Sequence, residues 1–341
     1  MSTYKEIRGK LVKKFTADPT PASDLSAYEG EMWYNTVTGT LKVAAPIASV
    51  WSSGGASSTP ATGGTVGFGA QNAAVMAGGT VPVPAPANID PITTVQEYNG
   101  STWTTVNSMS QKRSVFGAAG PQTASAVYGG RISGNPPTYT QATEEYDGTN
   151  FTSGGNMGAT RYYMGAAGTQ TAAFAIGGLQ AGPNTKTETL IYNGSSWTAA
   201  PSLPTGIHAG RGSGTTTATL VASAAPPAPK TISMEYDGSS WSTGNPTNNP
   251  KAYRGCSSLG TQTDSLLWGG EPFGGGTEHY DGTNWSNESA TLSVTGGETA
   301  GGGTGTTGLA FGREAPPGVP THTATEEFTA SFIGAKTVTS S

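Results

Sequence analysis

A phrase of six residues recurs five times along this chain of 341 residues, and it limits the possible folds more than any other feature. The phrase reads Tyr-(Asn/Asp)-Gly-(Ser/Thr)-x-(Trp/Phe), and its copies begin 48, 46, 44 and 44 residues apart. They begin at Tyr98, Tyr146, Tyr192, Tyr236 and Tyr280, and a weaker sixth copy begins at Phe328. Asn-Gly and Asp-Gly favour the tight turn of a β-hairpin, because both positions tolerate positive φ. A period of this length is typical of propellers and other repeat architectures.

A second phrase alternates with the first. It consists of a glycine, a turn, and an apolar strand that ends in small residues nine positions later. Its six copies pair Gly69 with Gly78, Gly120 with Gly129, Gly168 with Gly177, Gly214 with Ser223, Gly260 with Gly269, and Gly303 with Gly312. A short apolar run that ends in Gly-Gly favours a strand buried on both faces, where one backbone approaches another closely.

Composition agrees with short strands and many turns. The chain has 51 glycines and 23 prolines, only 11% of its residues are charged, and it lacks runs of strong helix formers after Lys14. Each repeat therefore holds four short strands, which in one copy are predicted at residues 113–119, 124–128, 143–146 and from Phe151 onward. Six such repeats predict an all-β, six-bladed β-propeller. The phrase aromatics are expected at equivalent positions between blades: Trp103, Phe151, Trp197, Trp241 and Trp285.

Two further runs carry a resemblance to known families. The Gly-Gly strand ends and the Glu-x-Tyr-Asp-Gly strands followed by Trp resemble kelch propellers, over roughly residues 51–341. Gly-Thr-Gln-Thr-Ala, together with Glu-Glu-Tyr-Asp-Gly-Thr and Ser-Gly-Gly-Asn-Met, is similar to kelch-like virion proteins of marine bacteriophages. Residues 29–43, EGEMWYNTVTGTLKV, resemble a β-hairpin of phage tail-fibre and structural proteins. The resemblance implies a structural or adhesion protein of a tail, fibre or capsid.

Three segments are predicted from these patterns: an N-terminal arm at residues 1–26, a hairpin at 27–50 and the propeller at 51–341. Residues 1–45 have few apolar side chains, and a segment of that size rarely folds alone without a disulfide or a metal. We therefore expect Leu11, Phe15 and Trp33 to be buried against another chain, either a second copy or another virion protein. The strand Val50–Ser53 is predicted to pair in the blade that holds Phe328, which would tie the ends of the ring together.

Several classes of partner are excluded at this stage. A net charge of −5 offers no basic face for nucleic acid, and no apolar stretch is long enough for a membrane helix. The lysine-containing N-terminus lacks the apolar region of a secretory signal. One cysteine and three scattered histidines give no zinc spacing, so no cofactor or metal is expected. Assembly in a cytoplasm and release by lysis would account for a low-charge extracellular surface without a signal.

Catalysis is weighed against structural roles. Paired carboxylates could hydrolyse glycosides, but these acids recur with the repeat and are interpreted as strand positions: Glu97, Glu144, Glu145, Glu235, Glu326 and Glu327. Copper chemistry of the galactose-oxidase kind would need a Tyr, His and Cys arrangement, and Cys256 is better interpreted as a small buried residue. The sequence therefore favours a protein that is not an enzyme.

Pro-rich insertions follow the Gly-Gly strands and should crowd one face of the disc, where repeat folds commonly bind partners. Within them, Arg131, Tyr139 and Phe273 are expected to contact a host surface polymer such as a glycan, while the N-terminus attaches the chain to the particle. Two alternatives remain open. Propellers could stack into an extracellular filament, or the chain could be a glycan-active enzyme.

Overall fold

In the computed structural model, the described residues are 13–16, 30, 32–58, 63–82, 89–134, 136–180, 182, 184–228, 230–314 and 323–338. These residues form strands and turns without any helix, which confirms the all-β prediction. In the described ranges, then, no helix is long and apolar enough to cross a membrane. The chain divides into two compact units: unit 1 is Met1–Val50 with Ala330–Ser341, and unit 2 is Trp51–Thr329.

Unit 1 contains one four-stranded sheet in the order β1-β2-β3-β32. Its strands are β1 (Lys13–Phe15), β2 (Met32–Asn35), β3 (Thr40–Ile47) and β32 (Phe332–Thr337). β2 and β3 form an antiparallel hairpin in the segment predicted at 27–50, and Asn35 shapes its turn by accepting the N–H groups of Val37 and Thr38 (3.0 Å each). β1 pairs with β2 in parallel.

The C-terminal bound of the repeat domain differs from the prediction. We expected the propeller to extend to residue 341, but the compact unit ends at Thr329. The physical reason is that β32 pairs antiparallel with β3 over six residue pairs, from Lys42↔Thr337 to Ile47↔Phe332. The last residues of the chain therefore complete the sheet of unit 1.

Unit 2 is built from four-stranded antiparallel sheets and two small two-stranded ladders. Its strands in chain order are β4 (Val50–Ser53), β5 (Val66–Ala70), β6 (Ala73–Ala77), β7 (Thr80–Pro82), β8 (Ile89–Pro91), β9 (Val95–Tyr98), β10 (Trp103–Thr105), β11 (Gly117–Ala119), β12 (Ser125–Tyr128), β13 (Arg131–Ser133), β14 (Thr138–Tyr139), β15 (Thr143–Tyr146), β16 (Phe151–Ser153), β17 (Gly165–Thr169), β18 (Ala172–Ile176), β19 (Thr189–Tyr192), β20 (Trp197–Ala200), β21 (Arg211–Thr215), β22 (Ala218–Ala222), β23 (Ser233–Tyr236), β24 (Trp241–Thr243), β25 (Gly255–Cys256), β26 (Ser265–Trp268), β27 (Gly276–Tyr280), β28 (Trp285–Thr291), β29 (Ala300–Gly303), β30 (Thr307–Phe311) and β31 (Glu326–Thr329).

The large sheets repeat one plan in which consecutive strands pair side by side. Their orders are β5-β6-β9-β10, β11-β12-β15-β16, β17-β18-β19-β20, β21-β22-β23-β24, β25-β26-β27-β28 and β29-β30-β31-β4. The first strands of successive sheets pack on one another in the sequence β5, β11, β17, β21, β25, β29 and back to β5. A chain of sheets that returns to its start in this way gives a propeller-like fold.

The predicted closing strand is confirmed. β4 is the outer strand of the sheet that contains β31, although the two lie at opposite ends of unit 2 in sequence. The Gly54 N–H donates to the Thr325 carbonyl (2.9 Å), and the ring centroid of Trp51 lies 5.2 Å from that of Phe328. The first and last strands of the unit therefore share one sheet.

The phrase aromatics occupy equivalent positions at the start of each outer strand, opposite the tyrosine that begins the phrase. Three of them also pack on an aromatic ring of the preceding sheet. Trp103 packs on Phe311 at 4.9 Å, Trp197 on Tyr128 at 4.7 Å and Trp241 on Phe174 at 5.6 Å between ring centroids. Trp241 and Trp285 are 8% and 6% exposed, whereas Trp103, Phe151 and Trp197 are half-buried.

Candidate functional site

The sheets of unit 2 have two chemically different ends. At the turn end lie the tight turns of the repeated phrase, such as residues 99–102 and 147–150. At the insertion end, the second strand of each sheet connects to the third through a variable segment. These segments include the ladders β7–β8 and β13–β14 and residues 179–185, 225–230 and 271–276. The strand pairing places these segments at one end of the sheets, as the sequence predicted.

The turn end is fixed by repeated side-chain hydrogen bonds. The phrase Asn or Asp accepts the backbone N–H groups two and three residues later, as Asn99 does from Ser101 and Thr102 and Asp147 from Thr149 and Asn150. The side-chain and backbone donors of Ser239, followed by the Ser240 N–H, lower the pKa of Asp237 to about 2. These carboxylates are therefore turn-forming groups whose lone pairs are already in use.

A set of six residues at the insertion end, which we call the left-handed ring, lies just before the first strands of the sheets. Its members all have positive φ, between 42° and 65°, and they are Gly64, Val115, Tyr163, Ala209, Tyr253 and Glu298. The N–H groups of Val115, Tyr163 and Ala209 each donate to the ring residue of the preceding sheet (2.8, 2.8 and 2.7 Å). The ring thus links neighbouring sheets through backbone groups.

This ring explains a local error in the strand prediction. Residues 113–119 were expected to form one strand, but β11 begins only at Gly117. Val115 has φ 53°, a conformation that costs a β-branched residue about 1–3 kcal/mol and interrupts an extended strand. The two residues that precede it make isolated bridges instead, Arg113 to Ile92 and Ser114 to Arg131.

The side chains of the ring differ from sheet to sheet, although the backbone repeats. A small cavity of about 20 Å³, with room for one water-sized group, lies beside the ring and is lined by Thr65, Val115, Tyr163, Ala209, Arg211 and Glu298 among others. The Tyr163 hydroxyl donates to the Glu298 carboxylate, which also accepts the Gly64 N–H at 2.6 Å. Burial and the Glu298 charge raise the pKa of Tyr163, so its hydroxyl stays protonated.

An aromatic track leads from one insertion to the ring. Tyr139, in the β13–β14 ladder, stacks on Tyr162 with centroids 4.1 Å apart and an interplanar angle of 9°. Tyr162 adjoins Tyr163 at 5.8 Å, and Tyr163 meets Tyr253 edge to face at 5.5 Å. Burial, with the neighbouring Tyr139, raises the pKa of Tyr162 to about 12. The track therefore consists of half-buried aromatic rings, which offer flat apolar faces with a polar edge.

Three carboxylates lie beside the track. A methyl group placed on Gly63 would contact both the Glu298 carboxylate and the Cβ of Glu314, and one placed on Gly297 would overlap the Glu271 carboxylate. Burial, followed by the charges of Glu298 and Glu271, raises the pKa of Glu314 to about 7. The pKa of Glu271 is raised by burial and by Glu298, against a lowering effect of Lys230. The three carboxyl groups are thus close enough to influence one another electrostatically.

The carboxylates that recur with the repeat have structural partners instead. Glu97 and Glu145 accept the hydroxyls of Tyr146 and Tyr192 from the next sheet at 2.8 and 2.7 Å, and Glu327 accepts that of Tyr98 at 2.5 Å. A second set forms buried ion pairs with arginine: Arg113–Glu144, Arg254–Glu278 and Arg313–Glu326. These contacts give the repeated acids a role in joining and filling the sheets.

The structure separates the predicted contact residues. Arg131 and Tyr139 face each other in the β13–β14 ladder, and the Arg131 guanidinium donates to the Ser114 hydroxyl at 3.3 Å. Phe273 is 40% exposed in its own insertion, without a described contact to that pair. In unit 1, Phe15 is 37% exposed, whereas Trp33 is 2% exposed within the single chain and is not available to another chain. Leu11 lies outside the described residues.

The remaining nucleophile and metal candidates are dispersed. Cys256 is half-exposed as a residue, but burial of its sulfur raises the thiol pKa to about 11. His279 pairs with Asp264 at 2.7 Å, His208 lies beside Tyr163 at 6.3 Å, and His322 is outside the described residues. Within the described part of the chain, no three His, Cys, Asp or Glu side chains are grouped to hold a metal ion.

Sequence reasoning missed the ring, Tyr162, Tyr163, Tyr253, and the acids Glu271, Glu298 and Glu314. A signal was nevertheless present. Aligning the repeats on the first glycine of the second phrase places five of the six ring residues five positions before it, where the side chain changes from Gly to Val, Tyr, Ala and Glu, while Tyr253 lies seven positions before Gly260. A position whose side chain varies inside a regular repeat is one where the packing of the repeat does not require a particular side chain.

Comparisons of the sequence with protein families and curated proteins identify no relative of this chain. No protein-family model matches the chain, and a search of curated proteins finds no match. The function of the chain is therefore inferred from the residues at the two ends of unit 2 and from those of unit 1.

Proposed function

We propose that unit 2 is a six-bladed, kelch-like propeller that serves as the recognition domain of a bacteriophage virion protein, displayed from a tail, fibre or capsid. Its support is the cycle of packed first strands through six four-stranded sheets, together with the phrase residues that resemble kelch-like phage proteins. The protein acts by binding, without catalysis, and functions outside cells once the particle is released.

One observation carries the assignment of roles to the two ends. The chain enters unit 2 at β4 and leaves it after β31, and both connections are at the turn end of the same sheet. Hydrogen bonds fix this direction, since Ser52 contacts the Glu327 carbonyl and Gly54 that of Thr325. The insertion end, with its variable aromatic and acidic side chains, is thus the end opposite the connections. We propose that it binds a host surface polymer, such as a glycan.

Attachment is assigned to unit 1 because it holds most of the exposed large hydrophobic side chains of the described residues. Of the seven large hydrophobic side chains exposed among the described residues, six belong to unit 1: Phe15, Tyr34, Val37, Val50, Phe332 and Val338. Exposed apolar groups concentrated in a small region are typical of protein interaction sites. We propose that unit 1 docks onto sister copies or onto another virion protein.

The same apolar surface favours a second candidate, a filament of the chain alone. Electron microscopy of the purified chain at increasing concentration separates the two candidates. The virion proposal predicts single particles or small closed oligomers in the absence of other virion proteins. Open filaments that lengthen with concentration would support the alternative and remove the virion proposal.

Polymer binding is tested with surface polysaccharides purified from marine bacteria and immobilised as a panel. We expect the full chain to bind at least one of them, and the double variant Tyr139→Ala/Tyr162→Ala to lose most of that affinity because the stacked pair is removed. The matched control is Asp237→Asn at the turn end, which keeps its turn because Asn99 and Asn193 make the same hydrogen bonds elsewhere. Equal loss in both variants, or binding unaffected by the tyrosine changes, would contradict the assignment.

A further inference from the structure

The sheet of unit 1 has one edge strand, β32, that is open to a further strand. In the order β1-β2-β3-β32, β32 pairs with β3 on one side, and no described strand pairs with its other side. An edge strand presents a row of free backbone N–H and C=O groups, which another extended strand can bind. Proteins usually protect such edges by keeping them short or by placing lysine, proline or a bulge on them.

The protection of β32 is slight. The strand has six residues and no proline, its pairing with β3 has no register shift, and Lys336 is its one charged residue. The opposite edge strand, β1, is protected, because it has only three residues and two of them are Lys13 and Lys14. Phe332 at the start of β32 and Val338 directly after its end are 41% and 38% exposed. The open edge is therefore flanked by two apolar side chains that solvent reaches.

The hydrogen bonds to β3 show which residues of β32 can pair a second time. The Val338 N–H donates to the Leu41 carbonyl at 2.9 Å, so these residues form a hydrogen-bonded pair of the antiparallel ladder. Such pairs alternate with pairs whose backbone groups point away from each other. Pro46, which has no N–H, stands in a pair of the second kind, opposite Ile333. The N–H and C=O groups of residues 333, 335 and 337 therefore point away from β3, toward the open edge.

A second copy of β32 in antiparallel orientation fits this edge in one register. With Ala335 opposite its counterpart, residues 333, 335 and 337 of one copy stand opposite 337, 335 and 333 of the other, so outward-pointing groups meet outward-pointing groups. Phe332 of each copy then lies opposite Val338 of the other copy. A shift by one residue would pair outward-pointing with inward-pointing groups, and a shift by two would separate Phe332 from Val338.

We propose that unit 1 is a dimerisation module in which the β32 strands of two copies pair antiparallel, with Ala335 on the two-fold axis. This inference rests on the proposed function and identifies the partner of unit 1 as a second copy of the chain. The two sheets become one continuous sheet. Because the same edge is used on both copies, the contact is complete at two chains and does not extend into a filament.

The register places Gly334 of each copy opposite Lys336 of the other, and this pair supplies a matched test. Gly334→Lys sets like charges opposite each other at two symmetric places, whereas Gly334→Glu sets opposite charges there, and both variants keep the backbone groups that pair with β3. Sedimentation velocity of the full chain over a range of concentrations should show a monomer–dimer equilibrium. We expect the dissociation constant of Gly334→Lys to exceed that of Gly334→Glu by at least about tenfold. The difference should shrink at high salt, which screens the charges.

Engineered cysteines test the register itself. Ala335→Cys places the two thiols of a dimer at opposite positions, with Cα atoms about 5.5 Å apart and within reach of a disulfide. Thr337→Cys is the control, because the two copies of position 337 stand four residues apart along the strands, about 13 Å, which is too far. The native Cys256 is present in both variants, and its sulfur is buried. Mild oxidation of the full chain should therefore give a covalent dimer with Ala335→Cys alone.

The outcomes separate this inference from the proposed function. Equal dissociation constants for the two Gly334 variants, or a Thr337→Cys chain that cross-links as readily as Ala335→Cys, would overturn the pairing of β32 strands. A full chain that stays monomeric at every concentration would also overturn it, and would leave polymer recognition by unit 2 and docking onto another virion protein standing. If the dimer forms in this register but no panel polysaccharide binds, the proposed recognition fails while the dimer inference holds.

Discussion

Replacing Arg254 with methionine is the perturbation for which the structure gives the clearest magnitude. Arg254 and Glu278 are both fully buried, and the Arg254 Nη1 lies 2.5 Å from the Glu278 Oε1. Burial lowers the pKa of Arg254, while the Glu278 charge opposes that shift. In the variant, Glu278 keeps only the N–H donors of Asn248 and Asn249 and loses its cation. Leaving a buried charge unpaired costs about 3–5 kcal/mol of unfolding free energy.

The chain offers its own control in Arg161, a buried arginine of another repeat that bonds only to backbone carbonyls. Arg161 is 6% exposed, and its guanidinium donates to the backbone carbonyls of Gly177 and Glu188 at 3.1 and 2.8 Å. Arg161→Met therefore removes hydrogen bonds without stranding a buried carboxylate and should cost about 1–3 kcal/mol. The double variant Arg254→Met/Glu278→Met removes both charges and should recover most of the loss seen in Arg254→Met.

Urea unfolding at pH 7, followed by tryptophan fluorescence, measures all three variants. The expected order of destabilisation places Arg254→Met first, clearly ahead of the other two. The reasoning is refuted if Arg254→Met is no worse than Arg161→Met, or if the double variant is as unstable as Arg254→Met.

Three further predictions concern the packing of Trp241, the pKa of Glu314 and the exposed side chains of unit 1. Trp241→Ala should cost about 3–5 kcal/mol of unfolding free energy in the same assay, since Trp241 is 8% exposed and packs on Phe174. Trp103 is half-buried, so Trp103→Ala should cost less. An unchanged unfolding midpoint in Trp241→Ala would contradict the burial of this side chain between sheets. The pKa of Glu314 is raised to about 7, so its contribution to folding stability is fully present below pH 4.5 and is lost as the pH rises through 7. Glu314→Gln should therefore gain stability over the wild type as the pH rises from 4.5 to 7. A constant difference in unfolding free energy across that range would refute the raised pKa. A shortened chain of residues 51–329 should remain folded and monomeric by light scattering but fail to assemble, because it lacks the exposed hydrophobic side chains of unit 1. Normal assembly of the shortened chain would assign docking to unit 2.

Much of the fold was predictable because the residues that form its turns and strand ends recur from repeat to repeat. The phrase turns at Asn99 and Asp147 and the strand-ending glycines mark three of the four strands in each sheet, and the match of Val50–Ser53 to the missing fourth strand identified the closure. The pairing of β32 with β3 was not predictable in this way. β3 carries no copy of either phrase, β32 holds only the last two positions of the weak sixth copy, and the two strands lie almost the whole chain apart, so no local pattern indicates their partnership.

The candidate site resisted prediction for the opposite reason. Repeat analysis finds what recurs, whereas Tyr163, Glu298 and Glu271 are the residues that do not recur. Their proximity depends on the left-handed ring, whose conformation at Val115 and Tyr163 runs against the preference of those residues and is imposed by bonds between neighbouring sheets. Tyr139 and Arg131 were singled out because they lie in an insertion, and only the fold brings them to Tyr162.

Hydrogen–deuterium exchange of the full chain with and without the tightest-binding polysaccharide tests most directly whether the insertion end is the recognition surface. The account predicts slower exchange at residues 131–139, 161–164, 252–254 and 297–299, with no change in the phrase turns at 99–102, 147–150 and 237–240. Protection confined to those turns, or spread evenly over both ends of unit 2, would contradict it.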